Sequence, residues 1–375
     1  MISARRLAAT HVMFSARPVT ASPHRMVPRM ITRSPRLLQR TEAVPAAPIH
    51  RTGSWQTQLS HAVRDPRELL ERLGLDADWL PGAEAGHELF AVRVPEAYLR
   101  RIRPGDPADP LLRQVLPVTA ETRTPPGFVT DPLAEAEHTP RRGLIHKYVG
   151  RVLLITSPAC AINCRYCFRR HFPYAENSPS REQWQESLDY LRADTTIREA
   201  ILSGGDPLAS SDTRLAWLVE ELAAIPHLQR LRLHTRLPVV IPDRVDDALL
   251  DWLAATRLQT VMVLHINHPA EIDDAVIAAC ARLKDAGVTL LNQSVLLRGV
   301  NDDVAVLAEL SEALFAAGIL PYYLHVLDPV AGAAHFDVPD GEARALHRAL
   351  RDRLAGFLLP RLVREIPGEA SKTPL

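Results

Sequence analysis

The sequence is poor in several features, and each scarcity excludes a class of protein. Among its 375 residues, no apolar run approaches the roughly 20 residues that a membrane-spanning helix requires. Four cysteines, three of them in one short motif, do not make a disulfide framework. Basic and acidic residues balance at 44 each, and no basic stripe indicates nucleic-acid binding. We therefore expect a soluble protein that binds neither a membrane nor nucleic acid.

Lysine is the scarcest charged residue, although arginine is abundant. Only Lys147, Lys284 and Lys372 occur among the 44 basic residues. An arginine stays protonated, whereas a lysine amine can lose its proton and form a Schiff base, so each lysine is a candidate for chemistry that arginine cannot perform. Lys284 stands among charged neighbours on a predicted helix, where we expect it to be solvated. A lysine as close to a chain end as Lys372 is also ordinarily solvated.

The first 53 residues differ in composition from the rest of the chain. Up to Arg51 they contain nine arginines and a single acidic residue. This composition is typical of an organelle transit peptide, but the segment lacks the apolar stretch of a secretory signal. Because it also lacks sustained periodicity, we interpret residues 1–53 as a disordered extension or an over-extended start, and exclude them from the fold.

The hydrophobic pattern divides the remainder into three parts. Residues 54–140 are predicted to form a cap that is helical to residue 103 and then extended, because residues 104–140 are rich in Pro, Asp and Thr. Residues 141–330 form the predicted core, and residues 331–375 a final helix with a C-terminal lysine segment. The predicted core strands are 152–156, 199–202, 231–235, 260–266, 289–296 and 322–326. The predicted helices between them are 184–191, 215–224, 246–255, 271–286 and 304–317.

This strict alternation predicts an α/β fold with parallel strands joined by right-handed crossovers. Six strand-helix units are too few to close an eight-stranded barrel, so we expect an open, partial (β/α)6 barrel with its active site at the C-terminal ends of the strands. An open doubly wound sheet fits less well, because no G-x-G-x-x-G follows the first predicted strand.

Cys160, Cys164 and Cys167 follow the first predicted core strand with the spacing C-x3-C-x2-C. Three thiolates on a [4Fe-4S] cluster leave one iron open to a small molecule. A zinc site completed by His171, or three unconnected buried thiols, are the alternatives. The motif resembles that of the radical S-adenosylmethionine (SAM) superfamily, whose open iron binds SAM and whose reductive cleavage of SAM yields a 5′-deoxyadenosyl radical. Because such a cluster requires a reducing compartment, we expect a cytoplasmic protein.

The turn after the second predicted strand contains Ser203, Gly204, Gly205 and Asp206. Two glycines permit close backbone approach to a ligand, and a carboxylate can accept hydrogen bonds from an ammonium group. Alone, Gly-Gly-Asp-Pro is also an ordinary turn. After the cysteine motif, it resembles the glycine-rich segment with which radical SAM enzymes contact the amino group of SAM.

Further motifs make the resemblance more specific. They are residues 143–148, 168–170, 265–269, 292–302 and 321–323. Together with the cysteines, they resemble the lysine 2,3-aminomutase family, most closely its short bacterial branch, which acts in the β-lysylation of elongation factor P. The resemblance covers residues 55–375. It implies an isomerase that converts L-α-lysine to β-lysine with a [4Fe-4S] cluster, SAM and pyridoxal 5′-phosphate (PLP).

The resemblance also implies roles for cofactor-binding residues. Lys372 would bind PLP covalently, although the long aminomutases carry four glycines before this lysine and the present chain has Gly-Glu-Ala-Ser. Lys147, Tyr148 and Arg151 would form the expected grip on the phosphate of PLP. Longer members of the family have Arg, Tyr and Arg at these three positions. The other expected cofactor contacts are Ser203, Gly204, Gly205, Asp206, His265 and Gln293.

For the substrate, the resemblance implies contacts at both ends of lysine. Arg169 would clamp the α-carboxylate, for which a bidentate guanidinium is suited. Asp328 and Glu365 would receive the distal ammonium, and Glu365 replaces the aspartate usual in the family. A glutamate 2,3-aminomutase would need a cation at these two positions, which argues against that alternative.

Several expectations concern partners. An electron donor must reduce the cluster, and the short branch links the product to the elongation factor P lysyl-ligase. The lack of a long C-terminal extension favours this branch over an enzyme that produces free β-lysine. The non-enzymatic alternative is a zinc-stabilised binding module.

Overall fold

One nine-stranded sheet organises the residues that the structure describes, and each strand is hydrogen-bonded to its neighbours in chain order. The structure is a computed structural model that describes residues 54–177 and 179–375. The predicted disordered extension, residues 1–53, therefore lies outside the described residues. The strands are β1 Leu144–Tyr148, β2 Arg151–Ser157, β3 Glu199–Gly204, β4 Arg230–Thr235, β5 Gln259–Leu264, β6 Thr289–Val295, β7 Leu320–His325, β8 Arg361–Arg364 and β9 Thr373–Pro374.

The six predicted strands are confirmed as β2 to β7, which run parallel to one another. Strand β8 extends this parallel set, while β1 and β9 form its antiparallel edges. Because β1 and β9 stand at opposite ends of the strand order, the barrel is open, as predicted. The sequence did not predict β1, β8 and β9. Their apolar patterns are too short, since β8 and β9 span four and two residues and β1 ends in His-Lys-Tyr.

Helices connect the parallel strands and cover the outside of the barrel. In the described residues they are α1 Trp55–Ser60, α2 Pro66–Arg72, α3 Leu80–Leu89, α4 Glu96–Leu99, α5 Pro110–Arg113, α6 Tyr174–Asn177, α7 Arg181–Ala193, α8 Asp212–Ala223, α9 Leu237–Val240, α10 Asp247–Ala255, α11 Asp274–Asp285, α12 Val304–Ala316 and α13 Asp340–Arg351. The five predicted core helices are confirmed as α7, α8, α10, α11 and α12. Ser180 and Gln183 form the capping box that opens α7. None of the described helices is long and apolar enough to cross a membrane.

The N-terminal cap packs directly on the barrel. Tyr98, Leu111 and Leu112 have no exposed surface and belong to the same apolar core as Leu202 on β3. The prediction that residues 104–140 are extended is wrong in part, because α5 lies within them. Asp109 stabilises this short helix, since its carboxylate accepts hydrogen bonds from the first backbone N–H groups. All described residues lie in one compact unit.

A buried ion triad fixes the loop that follows β2. The Glu121 carboxylate accepts hydrogen bonds from Arg165 at 2.9 and 2.5 Å, and from Arg170 at 2.7 Å. The side chains of all three residues are fully buried. Arg170 also donates to the carbonyl of Gly332 at 3.0 Å, so the triad ties the loop to both the cap and the segment after β7. Charges buried this deeply require partners, because isolated buried ions are strongly destabilising.

We expect Glu121→Ala to lower the free energy of unfolding by about 3–5 kcal/mol, because two buried guanidinium groups lose their carboxylate. Chemical denaturation followed by circular dichroism measures the loss. Glu221→Ala is the matched control, since the Arg192–Glu221 pair is solvent-accessible and such pairs contribute about 1 kcal/mol or less. Equal losses in the two variants would contradict the stabilising role assigned to the buried triad.

Candidate active site

A cavity of about 770 Å³ lies inside the barrel. It extends from the loops at the C-terminal ends of the strands to Arg151 and Arg232, near the opposite ends of β2 and β4. The structure brings every site residue predicted from the sequence to the wall of this cavity. They are Lys147, Tyr148, Arg151, Cys160, Cys164, Cys167, Arg169, Ser203, Gly204, Gly205, Asp206, His265, Gln293, Asp328, Glu365 and Lys372.

The three motif cysteines line one end of the cavity as free thiols. Burial raises the pKa of Cys160 well above its usual value and, with the neighbouring Cys164, raises the pKa of Cys167 to about 11. The thiols of Cys160 and Cys167 are therefore protonated at neutral pH unless a metal takes the place of the proton. The donor set fits the three-cysteine ligation of a [4Fe-4S] cluster, which needs one thiolate at each of three irons.

The zinc alternative finds no support among the described residues. No group of three or more His, Cys, Asp or Glu residues within them converges as it would on a single metal ion. His171, the fourth ligand that this alternative requires, is exposed, and its Nε2 lies 3.0 Å from the carbonyl of Ala331. A cluster of four irons does not need its cysteine sulfurs to meet at one point, so the same geometry is compatible with iron.

The two glycines after β3 allow the cysteine loop and this turn to touch. A Cβ atom on Gly204 would lie 2.6 Å from the carbonyl oxygen of Ser157, and the φ of +125° at Gly204 disfavours any other residue. A Cβ atom on Gly205 would lie 2.6 Å from the carbonyl oxygen of Ala159. Both glycines are therefore explained by close backbone packing next to the cysteines.

The expectation that the Asp206 carboxylate receives a ligand ammonium is not supported by its contacts. One oxygen accepts from the backbone of Leu208 and the hydroxyl of Thr235, at 3.0 and 2.6 Å. The other accepts from the backbone N–H groups of Arg236 and Leu237, at 2.8 and 3.0 Å. With both oxygens engaged by protein donors, the side chain joins the ends of β3 and β4, and the contact of this turn with a ligand stays a prediction.

The C-terminal segment is held in place by strand pairing. Strand β9 pairs antiparallel with β8, which brings Lys372 beside Glu365. The Lys372 Nζ lies 2.5 Å from one oxygen of Glu365, and the Lys147 Nζ lies 2.9 Å from the other. Burial raises the pKa of Glu365, but the two ammonium groups outweigh it and hold that pKa well below its usual range. Lys372 is thus held at the cavity, unlike an ordinary solvated terminal lysine.

Asp328 differs from the other carboxylates of the cavity wall. Glu135, Glu199 and Glu365 each form an ion pair, and Asp206 accepts backbone hydrogen bonds. Among the described residues, no ion-pair partner reaches the Asp328 side chain. Burial, together with the charge of Glu365, raises the pKa of Asp328 to about 7. A cation that enters the cavity would therefore find its free acceptor at Asp328.

Arg169 is pre-oriented by a carboxylate that the sequence reasoning missed. Its Nε and Nη2 donate to the two oxygens of Glu135 at 2.8 and 2.7 Å, and its Nη1 donates to the hydroxyl of Ser203 at 3.0 Å. Both members of the pair are buried. Glu135 lies in the Pro-rich connection, which carries no periodic signal, so only the folded chain reveals it.

Neutral imidazoles form part of the cavity wall. Burial lowers the pKa of His265 to about 3, and the side-chain amide of Gln293 lies 3.0 Å from its Nε2. His234 and His325 were also missed from the sequence, and loss of contact with water lowers the pKa of each well below the usual range. Their Nε2 atoms have no hydrogen-bond partner in the described residues. Such groups offer hydrogen bonds to ligands without adding charge.

The Arg151 guanidinium lies 4.5 Å from the centre of the Tyr148 ring. The third residue of the expected phosphate grip, Lys147, is engaged with Glu365 and with the carbonyl of Leu133. Of these three residues, Arg151 thus keeps a cation at the cavity wall without an ion-pair partner in the part of the chain that the structure describes.

Comparisons with known proteins agree with this site. Residues 154–310 match the family model of the radical SAM superfamily. L-lysine 2,3-aminomutase of Escherichia coli strain K12 is 54% identical over 86% of this chain and 94% of the relative. The enzyme of that name in Haemophilus influenzae is 51% identical over 85% of this chain and 95% of the relative. That of Clostridium subterminale is 35% identical over 86% of this chain and 77% of the relative.

Identity at this level over nearly the whole length of two relatives establishes common descent with them. The cavity carries residue types that suit each cofactor of such enzymes, since three thiols and a partly buried lysine amine line its wall. The chain therefore belongs to the L-lysine 2,3-aminomutase family of radical SAM enzymes, isomerases that use a [4Fe-4S] cluster, SAM and PLP.

Proposed function

We propose that the protein is an L-lysine 2,3-aminomutase, which moves the α-amino group of L-lysine to its β-carbon. The observation that carries the proposal is that the Lys372 amine, from the end of the chain, lines the same cavity as the three motif thiols. The names of the relatives support the same activity. Neither the thiols nor the amine alone would suffice, because the reaction needs both a radical source and a group that binds the migrating nitrogen.

When bound, the cluster and SAM would together supply a hydrogen-abstracting radical, and PLP would supply a carbonyl that captures the amino group. The protein's own task is to bind and orient lysine. In our proposal Arg169 binds the α-carboxylate with the Nη1 side of its guanidinium, which Glu135 does not contact and which now donates to Ser203. Asp328 receives the distal ammonium. Holding lysine at both ends fixes its β-carbon relative to the radical source, and such positioning is a major contribution to catalysis.

Glu365 has a conditional part in this arrangement. Its two oxygens are taken by Lys372 and Lys147. If PLP engaged Lys372, the cofactor would take the place of the present contact between this amine and Glu365, which would leave one oxygen of Glu365 for the substrate. We therefore propose that Glu365 joins Asp328 in receiving the distal ammonium only after the cofactor is bound.

The charge of the cavity supports lysine over glutamate as the substrate. A glutamate substrate would place its side-chain carboxylate near the carboxylates of Asp328 and Glu365. Like charges that are buried together repel strongly. An enzyme that releases free β-lysine would catalyse the same reaction, so the cavity does not distinguish the two roles of the product.

For the product, we propose delivery to the elongation factor P lysyl-ligase in the cytoplasm. The support is the motif resemblance to the short bacterial branch, including Gly-Glu-Ala-Ser before Lys372. A [4Fe-4S] cluster with an open iron needs a reducing compartment and an electron donor within it. This need supports the cytoplasmic location.

The activity is tested with the anaerobically purified protein, reconstituted with iron, sulfide and PLP. We expect L-lysine, SAM and a chemical reductant to yield β-lysine, resolved from α-lysine by chromatography after derivatisation. L-glutamate under the same conditions is expected to remain unchanged. Conversion of glutamate with lysine untouched would refute the substrate assignment.

Lys372→Ala is expected to lose the absorbance of covalently bound PLP and at least 1,000-fold in activity, because no other lysine amine replaces it, by analogy with the removal of a covalent catalyst. Its iron–sulfur absorbance should remain. Lys284→Ala is the matched control, since Lys284 lies on α11 away from the cavity wall. If Lys372→Ala kept the bound PLP, the role of this lysine would be wrong.

The pH dependence of turnover tests Asp328. Its pKa of about 7 means that lowering the pH below 7 protonates the side chain and removes the negative charge that pairs with the substrate ammonium. We expect kcat/KM for lysine to fall by up to about tenfold per pH unit there. Asp328→Asn should raise KM, lose this pH limb and retain SAM cleavage. An unchanged KM in the variant would contradict the assignment.

Mass spectrometry of elongation factor P tests the proposed use of the product. In the host of this protein, loss of its gene should remove the mass of a β-lysyl group from elongation factor P. Unaltered modification in the deletion strain would argue for free β-lysine as the end product.

A further inference from the structure

Arg236, which the proposed mechanism does not use, contacts one of the motif cysteines. It follows β4 and lines the cavity. Its Nη1 lies 2.8 Å from the Sγ of Cys164. Cys164 is the middle member of the triad, so the guanidinium of Arg236 reaches a sulfur that would be a cluster ligand.

The other end of the Arg236 guanidinium is immobilised by buried acceptors. Its Nη2 lies 2.7 Å from Glu271, 2.7 Å from Gln114 and 3.3 Å from the hydroxyl of Tyr98. Glu271 and Gln114 have no exposed surface, and Arg236 retains only 6%. The backbone N–H of Arg236 donates to Asp206. This positive charge is therefore fixed in place by the cap, by the loop after β5 and by the turn after β3.

A fixed cation next to a ligating sulfur has a definite electrostatic effect. Reduction adds one electron to the cluster and makes the cluster and its thiolates more negative. Hydrogen bonds to the sulfurs and nearby charge are among the factors that set the potential of iron–sulfur clusters. A donor on the sulfur stabilises the reduced state more than the oxidised one, because the reduced cluster carries the larger negative charge.

We propose that Arg236 is a positioning residue that raises the reduction potential of the cluster through its hydrogen bond to Cys164. The one electron comes from an external one-electron donor and resides on the cluster, with no bond made or broken in the protein. Glu271 tempers the effect, because its carboxylate partly offsets the guanidinium charge at the same site. The inference rests on the proposed ligation of the cluster by the three cysteines.

The test is a redox titration of the reconstituted holoprotein without SAM, using dithionite and mediators, with the reduced cluster followed by electron paramagnetic resonance. We expect Arg236→Gln to lower the ratio of reduced to oxidised cluster about tenfold at a fixed potential, since hydrogen bonds to charged groups are among the stronger ones. For one electron, tenfold corresponds to a midpoint about 59 mV lower. Glu271→Gln is expected to shift the midpoint in the opposite direction.

Arg244→Gln is the matched control. Arg244 is also fully buried and lies 2.7 Å from Asp212, but it does not line the cavity. Its loss should leave the midpoint unchanged, which separates the contact with sulfur from the general loss of a buried arginine.

Iron and sulfide analysis of each protein keeps the two proposals apart. If the wild-type protein took up no iron, the proposed ligation of the cluster by the three cysteines would be refuted, whatever the role of Arg236. An Arg236→Gln variant with full iron content and an unchanged midpoint would overturn the present inference, even if it bound SAM more weakly. If this variant does not retain its cluster, Glu271→Gln decides: a higher midpoint supports the inference, and an unchanged or lower one overturns it.

Discussion

The ion pair between Lys372 and Glu365 is the contact on which the proposed chemistry depends. Strand β9 contains two residues, yet its pairing with β8 carries the end of the chain back to the barrel. Without this pairing, a terminal lysine would be solvated. With it, the amine lies against a partly buried carboxylate at the wall of the cavity that the three thiols also line. The thiols and the amine are thereby brought to one cavity.

The same cavity is organised by matching nearly every buried carboxylate with a cation. Glu135 orients Arg169, Glu271 orients Arg236, and Glu365 holds two lysines. Among the described carboxylates of the cavity wall, Asp206 is held by backbone and hydroxyl donors, and Asp328 has neither these nor a cation. Burial and the charge of Glu365 raise the pKa of Asp328. Binding of a cationic substrate would supply that cation. In the proposed function, the preference for lysine and the unpaired carboxylate of Asp328 thus have one explanation.

Packing around the cysteine loop supports this arrangement from outside the cavity. Arg165 and Arg170 anchor the loop through Glu121, while Gly204 and Gly205 allow the backbones to approach. The loop carries charged side chains that point both into the cap and toward the cavity. Stability and cluster geometry are therefore coupled, because the interactions that hold the loop also set the positions of its sulfurs.

The sequence by itself determined the open α/β barrel, the three cysteines, the scarcity of lysine and the residues expected at the site, because periodicity and short motifs are local properties of the chain. It did not reveal Glu135, Arg236 or Glu271, since each acquires its role from partners far away in sequence, nor that His234 and His325 line the cavity. It also suggested a ligand contact for Asp206, whose carboxylate the fold uses to join two strand ends. Only the tertiary structure decided which of these charges are paired and that Asp328 has no ion-pair partner among the described residues, because pairing depends on distances between residues that are not neighbours in the chain.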